Sequence, residues 1–169
     1  NIYKNLIDKF IKRSVKGFVS VSKICSSSIK FRKNLKNVKV LTIYNGHYLK
    51  KNRNRFLYKK KFNLPTNSKI LLMLAEYDLR KGHKYIIDVM EEINQEDKNI
   101  FLFIFGHGDS YEINKLVKKS SSSNNIFLNK FNENNFGLIS SCDLLVIPSQ
   151  KYESFGYTAI EAMSLKKPV

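Results

Sequence analysis

Acidic residues are scarce in this chain. Its 169 residues hold 14 Asp and Glu against 30 Lys and Arg, a formal net charge of +16. Such an excess suits an anionic membrane surface or a nucleic acid. Aromatic residues do not alternate with the positive clusters at Lys30–Lys39, Lys50–Lys61 and Lys115–Lys119 as the base-stacking platform of a single-strand binder requires, and nucleic acid is set aside as a partner. An anionic membrane remains open. Cysteine is almost absent: Cys25 and Cys142 share no repeated spacing, which excludes a disulfide framework or a cysteine-type zinc site and fits reduced thiols in the cytoplasm. Apolar runs such as Ile70–Ala75 and Ile100–Phe105 are six residues long, far short of a membrane span. There is no Asp-x-Asp pair and no grouping of histidines at metal-ligand spacing, so no metal site is expected. Neither an internal repeat nor a signal-peptide pattern is present.

What the chain does contain is a steady 43% of hydrophobic residues, enough for a folded core. Asn1 stands where a complete chain would have methionine, and Pro168-Val169 reads as the start of a strand. The sequence is therefore expected to be an internal piece of a longer protein. Helical spacing of Ile2, Leu6 and Phe10 predicts a first helix. Strands are expected at 17–22 and Val38–Tyr44, with Ser22 capping a helix over Lys23–Asn34. Asn45-Gly46 marks a turn, and Asn54–Lys61 a basic helix. From Lys69 onward, strands (Ile70–Ala75, Ile100–Phe105, Ile126–Leu128, Leu144–Ile147) alternate with helices (His83–Asn94, Tyr111–Lys119, Glu133–Ser141, Tyr157–Leu165). Uninterrupted apolar strands between helices predict an α/β fold with a parallel sheet buried on both faces.

Ligands of such sheets collect beyond the carboxyl ends of the strands. Three segments should meet there. Ala75–Gly82 carries Arg80 and Lys81; a solvated basic loop is the plain alternative. Phe105-Gly106-His107-Gly108 allows close backbone approach, with His107 read as a loop residue, not a base. Glu153-Ser154-Phe155-Gly156-Tyr157-Thr158 leads into a helix whose exposed N–H groups and dipole suit an anion. Glu161, inside that helix, can accept hydrogen bonds from a ribose diol; acids that merely cap and solubilise the helix are the plain alternative. His83 is expected to serve packing or capping at a helix start.

The order Pro148-Ser149, Glu153-x-Phe155-Gly156, Glu161-Ala162-Met163 and Pro168-Val169 resembles the sugar-nucleotide signature of glycosyltransferase family 4 (glycosyl transferases group 1), retaining enzymes of GT-B architecture. Val21-Ser22, Ile43-Tyr44-Asn45-Gly46 and Lys81-Gly82 extend the likeness. The resemblance implies a partial GT-B fold: residues 1–45 as the end of an acceptor-side Rossmann-like domain, and residues 46–169 as the incomplete second, sugar-nucleotide-binding one. It implies metal-independent transfer from a nucleoside-diphosphate sugar to a glycan or lipid-linked acceptor, in surface polysaccharide assembly, with no cofactor. It gives Lys81 and Glu153 catalytic roles and places Arg80, Gly106, Lys130, Ser154, Phe155, Gly156, Tyr157, Thr158 and Glu161 on the donor. The protein is expected in the cytoplasm or at the inner face of the membrane, and the 169 residues alone are expected to be inactive. An enzyme-like fold that binds sugar nucleotides without turnover is the alternative. Three departures stand out: Ala75-Glu76 replaces the family Gly-Arg, His47-Tyr48 replaces an aliphatic residue and an aspartate, and Lys166 replaces a glycine. A non-glycine in a left-handed conformation there would cost roughly 1–2 kcal/mol.

Overall fold

The computed structural model describes residues 2–48, 55–150 and 153–169. The chain divides into two compact units, Asn1–His47 with Glu153–Gly156, and Tyr48–Tyr152 with Tyr157–Val169.

In the first unit, α1 (Ile2–Ser14) is followed by β1 (Gly17–Ser20), α2 (Lys23–Lys30), a 3₁₀ turn at Lys33–Leu35 and β2 (Lys39–Thr42). The two strands are parallel, in register from Gly17 with Lys39 to Ser20 with Thr42. Ser22 caps α2 as expected, its hydroxyl accepting from Cys25 N at 3.2 Å. The hydroxyls of Ser20, Ser26 and Thr42 bond one another beneath the strand ends, satisfying polar groups that would otherwise be costly to bury. The helix expected to run to Asn34 stops at Lys30. Arg32 turns extended (φ −77°, ψ 112°), its Nε donates to Asp8 Oδ2 at 3.0 Å, and Leu35 is buried to 1% exposure. The buried Asp8 needs a partner more than the helix needs another turn.

The second unit is a four-stranded parallel sheet in the order β5-β4-β3-β6, built from β3 (Lys69–Leu74), β4 (Ile100–Gly106), β5 (Ile126–Lys130) and β6 (Leu144–Leu145). Its helices are α3 (Tyr58–Lys61), α4 (His83–Glu96), α5 (Tyr111–Lys119), α6 (Asn135–Ser141) and α7 (Tyr157–Ser164). Alternate residues of each strand feed opposite cores, as the two-residue strand period requires. Ile70, Leu72, Phe101, Phe103 and Phe105 pack with Tyr58, Leu138, Ile139 and Ala162. Leu71, Met73, Leu102 and Ile104 pack with Ile86, Ile87, Met90, Ile113 and Val117. Each fully buried aliphatic or aromatic side chain contributes about 1.5–3 kcal/mol, so these two layers hold the unit together. Phe103 stacks on Phe127 with centroids 4.7 Å apart. The Tyr58 hydroxyl donates to Leu138 O at 3.2 Å, and burial raises its pKa above the ordinary phenol value.

Element boundaries shift for local reasons. β6 is shorter than expected: Val146 N still bonds Leu72 O at 2.8 Å, but Pro148 has no N–H to extend the ladder. α6 starts two residues late because Asn134 caps it, its side chain accepting from Gly137 N at 3.0 Å. α7 ends in a Schellman motif: Lys166 N bonds Met163 O and Lys167 N bonds Ala162 O, both at 2.9 Å. Lys166 is left-handed there (φ 57°), as its glycine-bearing counterpart suggested.

Candidate functional site

The sheet order reverses at β3: β4 and β5 lie on one side, and β6 returns on the other. A crevice at the carboxyl ends of the strands next to such a reversal is where ligands of open α/β sheets bind. A cleft of about 300 Å³ opens there within the second unit. Its floor is Leu74 and Ala75 at the end of β3 and Phe105 and Gly106 at the end of β4. Glu76, Lys81 and His107 reach it from the loops, Thr158 from the first turn of α7, and Phe131 and Asn135 from the loop after β5 and the start of α6. A larger cleft of about 490 Å³ lies at the amino ends of the strands, lined by Tyr58, Ile70, Cys142 and Asp143 among others. It lies away from the carboxyl ends of the strands, and the helix start on it belongs to the single turn α3. The smaller cleft, with converging strand ends and the first turn of the eight-residue α7, is therefore the better candidate.

The loop after β3 is tightly built. Asp78 opens a 3₁₀ turn (Leu79–Lys81), accepting Arg80 N at 2.8 Å. The Asp78 carboxylate also holds the Arg80 guanidinium, with Nε 2.8 Å from Oδ2, and these Arg80 contacts lower the Asp78 pKa to about 2. Arg80 is therefore committed to an ion pair on its own turn, although it is exposed. Gly82 ends the turn left-handed (φ 84°) and opens α4. A methyl group there would stand 2.7 Å from Pro148 C and closer still to its oxygen. Gln150 N donates to Arg80 O at 3.0 Å. The loops that follow β3 and β6 are thus packed backbone against backbone, which requires glycine.

Gly106 supplies a second close approach. A Cβ there would crowd the carbonyl of Ala75, with Ala75 C at 3.2 Å. Beneath it, Tyr77 ties the loops after β3 and β4 to β5: its N–H bonds His107 O at 2.8 Å, and its hydroxyl donates to Asn129 O at 2.5 Å. Burial raises the Tyr77 pKa, opposed by the Asn129 hydrogen bond. His83 sits behind this ring, centroids 5.9 Å apart, and is fully buried.

Among the expected site residues, Lys81, Gly106 and Thr158 share the cleft. Lys130 is exposed at the end of β5, paired in register with Gly106; its neighbour Phe131 lines the cleft instead. Tyr157 is exposed at the first position of α7, and Glu161 is half-buried one turn later. Glu153, Ser154, Phe155 and Gly156 belong to the first compact unit. There Ser154 O accepts from the Cys25 thiol at 3.6 Å, and Gly156 is left-handed (φ 79°). Glu76, Tyr77, Phe131 and Asn135 were not singled out as site residues. Glu76 alone carried a signal, as a reversed charge in a recognisable pattern. Tyr77 carried none, since its acceptors lie on strands distant in sequence. Among the described residues, no three His, Cys, Asp or Glu side chains group as metal ligands, and no helix is long and apolar enough to cross a membrane.

The profile of the family described as glycosyl transferases group 1 matches residues 54–169. The chain belongs to this family, and its parallel sheets flanked by helices are part of a GT-B fold. An O-antigen biosynthesis glycosyltransferase, WclY, of Escherichia coli is 26% identical over 113 residues, covering 66% of this chain and 31% of that protein. The phosphatidyl-myo-inositol mannosyltransferase of Mycobacterium tuberculosis is 27% identical over 101 residues, covering 59% and 27%. Among solved structures, the Anabaena protein Alr3699/HepE in complex with UDP and glucose superimposes with a TM-score of 0.80 at 17% identity, covering 98% of this chain and 46% of that one. The chain spans about a third of the length of the curated relatives it matches.

Proposed function

We propose that the complete protein transfers a sugar from a nucleoside-diphosphate sugar to a glycan or lipid-linked acceptor. In this reading the transfer retains anomeric configuration, needs neither a protein-held metal ion nor a cofactor, and serves surface polysaccharide assembly. Residues 46–169 bind the donor, and residues 1–45 end the acceptor side. As the sugar–oxygen bond breaks, negative charge grows on the departing diphosphate. Lys81 and the N-terminus of α7 stabilise that charge more in the transition state than in the ground state. Glu153 lies beside the donor sugar, the Ser154–Gly156 backbone beside sugar and phosphate, Gly106 under the donor, Lys130 near the base, and Glu161 on the ribose. The observation that supports this most is the cleft shared by Lys81, Gly106 and Thr158 at the strand carboxyl ends. The relatives named above add support through their printed activities, an O-antigen glycosyltransferase and a lipid mannosyltransferase.

The test uses the complete protein and a panel of nucleoside-diphosphate sugars, read by saturable binding and by sugar transfer. One donor should saturate, and Lys81→Ala should lower kcat/KM by at least tenfold, an energy of about 1.4 kcal/mol or more. Equal affinity for every nucleotide sugar tested, or binding of none, would end the proposal. Glu76 in the cleft favours a second reading, a binder without turnover, because a carboxylate opposes the diphosphate where the family has an arginine. Saturable binding with neither transfer nor donor hydrolysis would select it.

The same proposal puts the protein at the cytoplasmic face of the membrane. Residues 1–47 hold eleven Lys and Arg against the single Asp8, and Asp8 is paired with Arg32. Phe31, flanked by Lys30 and Lys33, is 89% exposed. Binding to phosphatidylglycerol-containing vesicles that weakens as salt rises is the expected result.

A further inference from the structure

His83 is completely buried in the first turn of α4. Its Nδ1 lies 3.0 Å from Asp78 O. A carbonyl oxygen only accepts, so Nδ1 carries the proton and Nε2 is a bare acceptor. That Nε2 is buried without a hydrogen-bond partner, a cost that an apolar side chain of similar size would avoid. What the imidazole returns is its bond to Asp78 O. The same oxygen accepts Lys81 N at 2.9 Å. One carbonyl therefore gathers the buried ring and the backbone of the lysine that lines the cleft. Desolvation lowers the His83 pKa, which keeps the ring in the neutral form this bond uses.

We infer that His83 is a positioning residue: its Nδ1–H clamps the Asp78 carbonyl and so fixes the 78–82 turn that presents Lys81 to the ligand cleft. The inference rests on the proposed anion-binding role of that cleft. The ring itself touches no ligand, since it is sealed from solvent. Its contribution should appear in diphosphate affinity and not in stability.

The experiment measures binding of inorganic pyrophosphate and of UDP to the complete protein, alongside its thermal midpoint. Three variants separate the roles. His83→Leu fills the space without a donor and should keep or raise the midpoint while weakening pyrophosphate binding about tenfold. His83→Asn places an amide N–H near the Nδ1 position and should restore most of that affinity. His83→Gln places its amide nearer the Nε2 position and should not. Wild-type affinity in His83→Leu overturns the inference alone, as does rescue by Gln but not Asn. Should His83→Leu fail to fold, the Asn and Gln pair decides by the same criterion. Absence of pyrophosphate and UDP binding in the unmutated protein overturns the cleft assignment and this inference together.

Discussion

Replacing Gly82 by alanine tests whether the loops after β3 and β6 are locked together by backbone contact. Two costs arise at once. The residue is left-handed (φ 84°), which for alanine costs about 1–2 kcal/mol. The new methyl group would also overlap the Pro148 carbonyl. A flexible side chain could swing away, but the Pro148 carbonyl in the loop after β6 can move only with its backbone, and overpacking of this kind costs about 1–3 kcal/mol. The expected destabilisation is about 2–5 kcal/mol, a large share of an ordinary domain's stability of about 5–15 kcal/mol. With a urea m-value of about 2 kcal/mol/M, the unfolding midpoint should drop by about 1–2.5 M. The chain has no tryptophan, so far-UV circular dichroism is the suitable probe. Gly46→Ala is the control: a Cβ there meets nothing within 4 Å, and the change should stay within about 0.5 kcal/mol. If both variants unfold at the same urea concentration, the reasoning about Gly82 is refuted.

Other consequences can be measured in the same protein. Lys166→Gly relieves a left-handed lysine at the end of α7 and should stabilise by about 0.5–1 kcal/mol after the added chain entropy of glycine is counted, read as a higher urea midpoint. Glu76→Arg reverses a charge within the cleft and should tighten nucleoside-diphosphate binding about tenfold by calorimetry; unchanged affinity would mean that Glu76 lies away from the diphosphate. The lowered pKa of buried His83 means that the unfolded chain takes up a proton first as pH falls through about 6.5. Stability should therefore be flat above that pH and decline below it, and His83→Leu should reduce the slope of the midpoint between pH 7 and 5.

Much of the second unit was legible because its signals are local. Apolar runs of three to six residues separated by amphipathic stretches put all four strands of its sheet within two residues of their true limits, and Tyr111–Lys119 was read end to end. The resemblance also located the left-handed position now occupied by Lys166. The misreadings have tertiary causes. Nothing in Lys30–Asn34 announces that Arg32 will leave the helix for Asp8, twenty-four residues earlier. At the cleft, the chemistry of Lys81 was visible in a motif, whereas the turn that carries it depends on a buried imidazole and on a carbonyl of another strand's loop. Of the basic helix expected at Asn54–Lys61, Asn54 lies outside the described residues, Arg55, Phe56 and Leu57 are not helical, and the helix is the single turn Tyr58–Lys61. The expected role of Glu153 depends on geometry between two units, which sequence spacing alone does not give.

The strand order has a cost during synthesis. β3 is the first strand of its sheet to leave the ribosome, yet it ends up interior, with β4 on one edge and β6 on the other. β4 and β5 can pair as they emerge, but the opposite edge of β3 waits some seventy residues for Leu144 and Leu145. Through that interval a nascent chain displays Ile70–Leu74 as an unclaimed hydrophobic border, the kind of surface that recruits chaperones or neighbouring chains. Translation speed between these two points should therefore influence how much soluble protein a cell recovers.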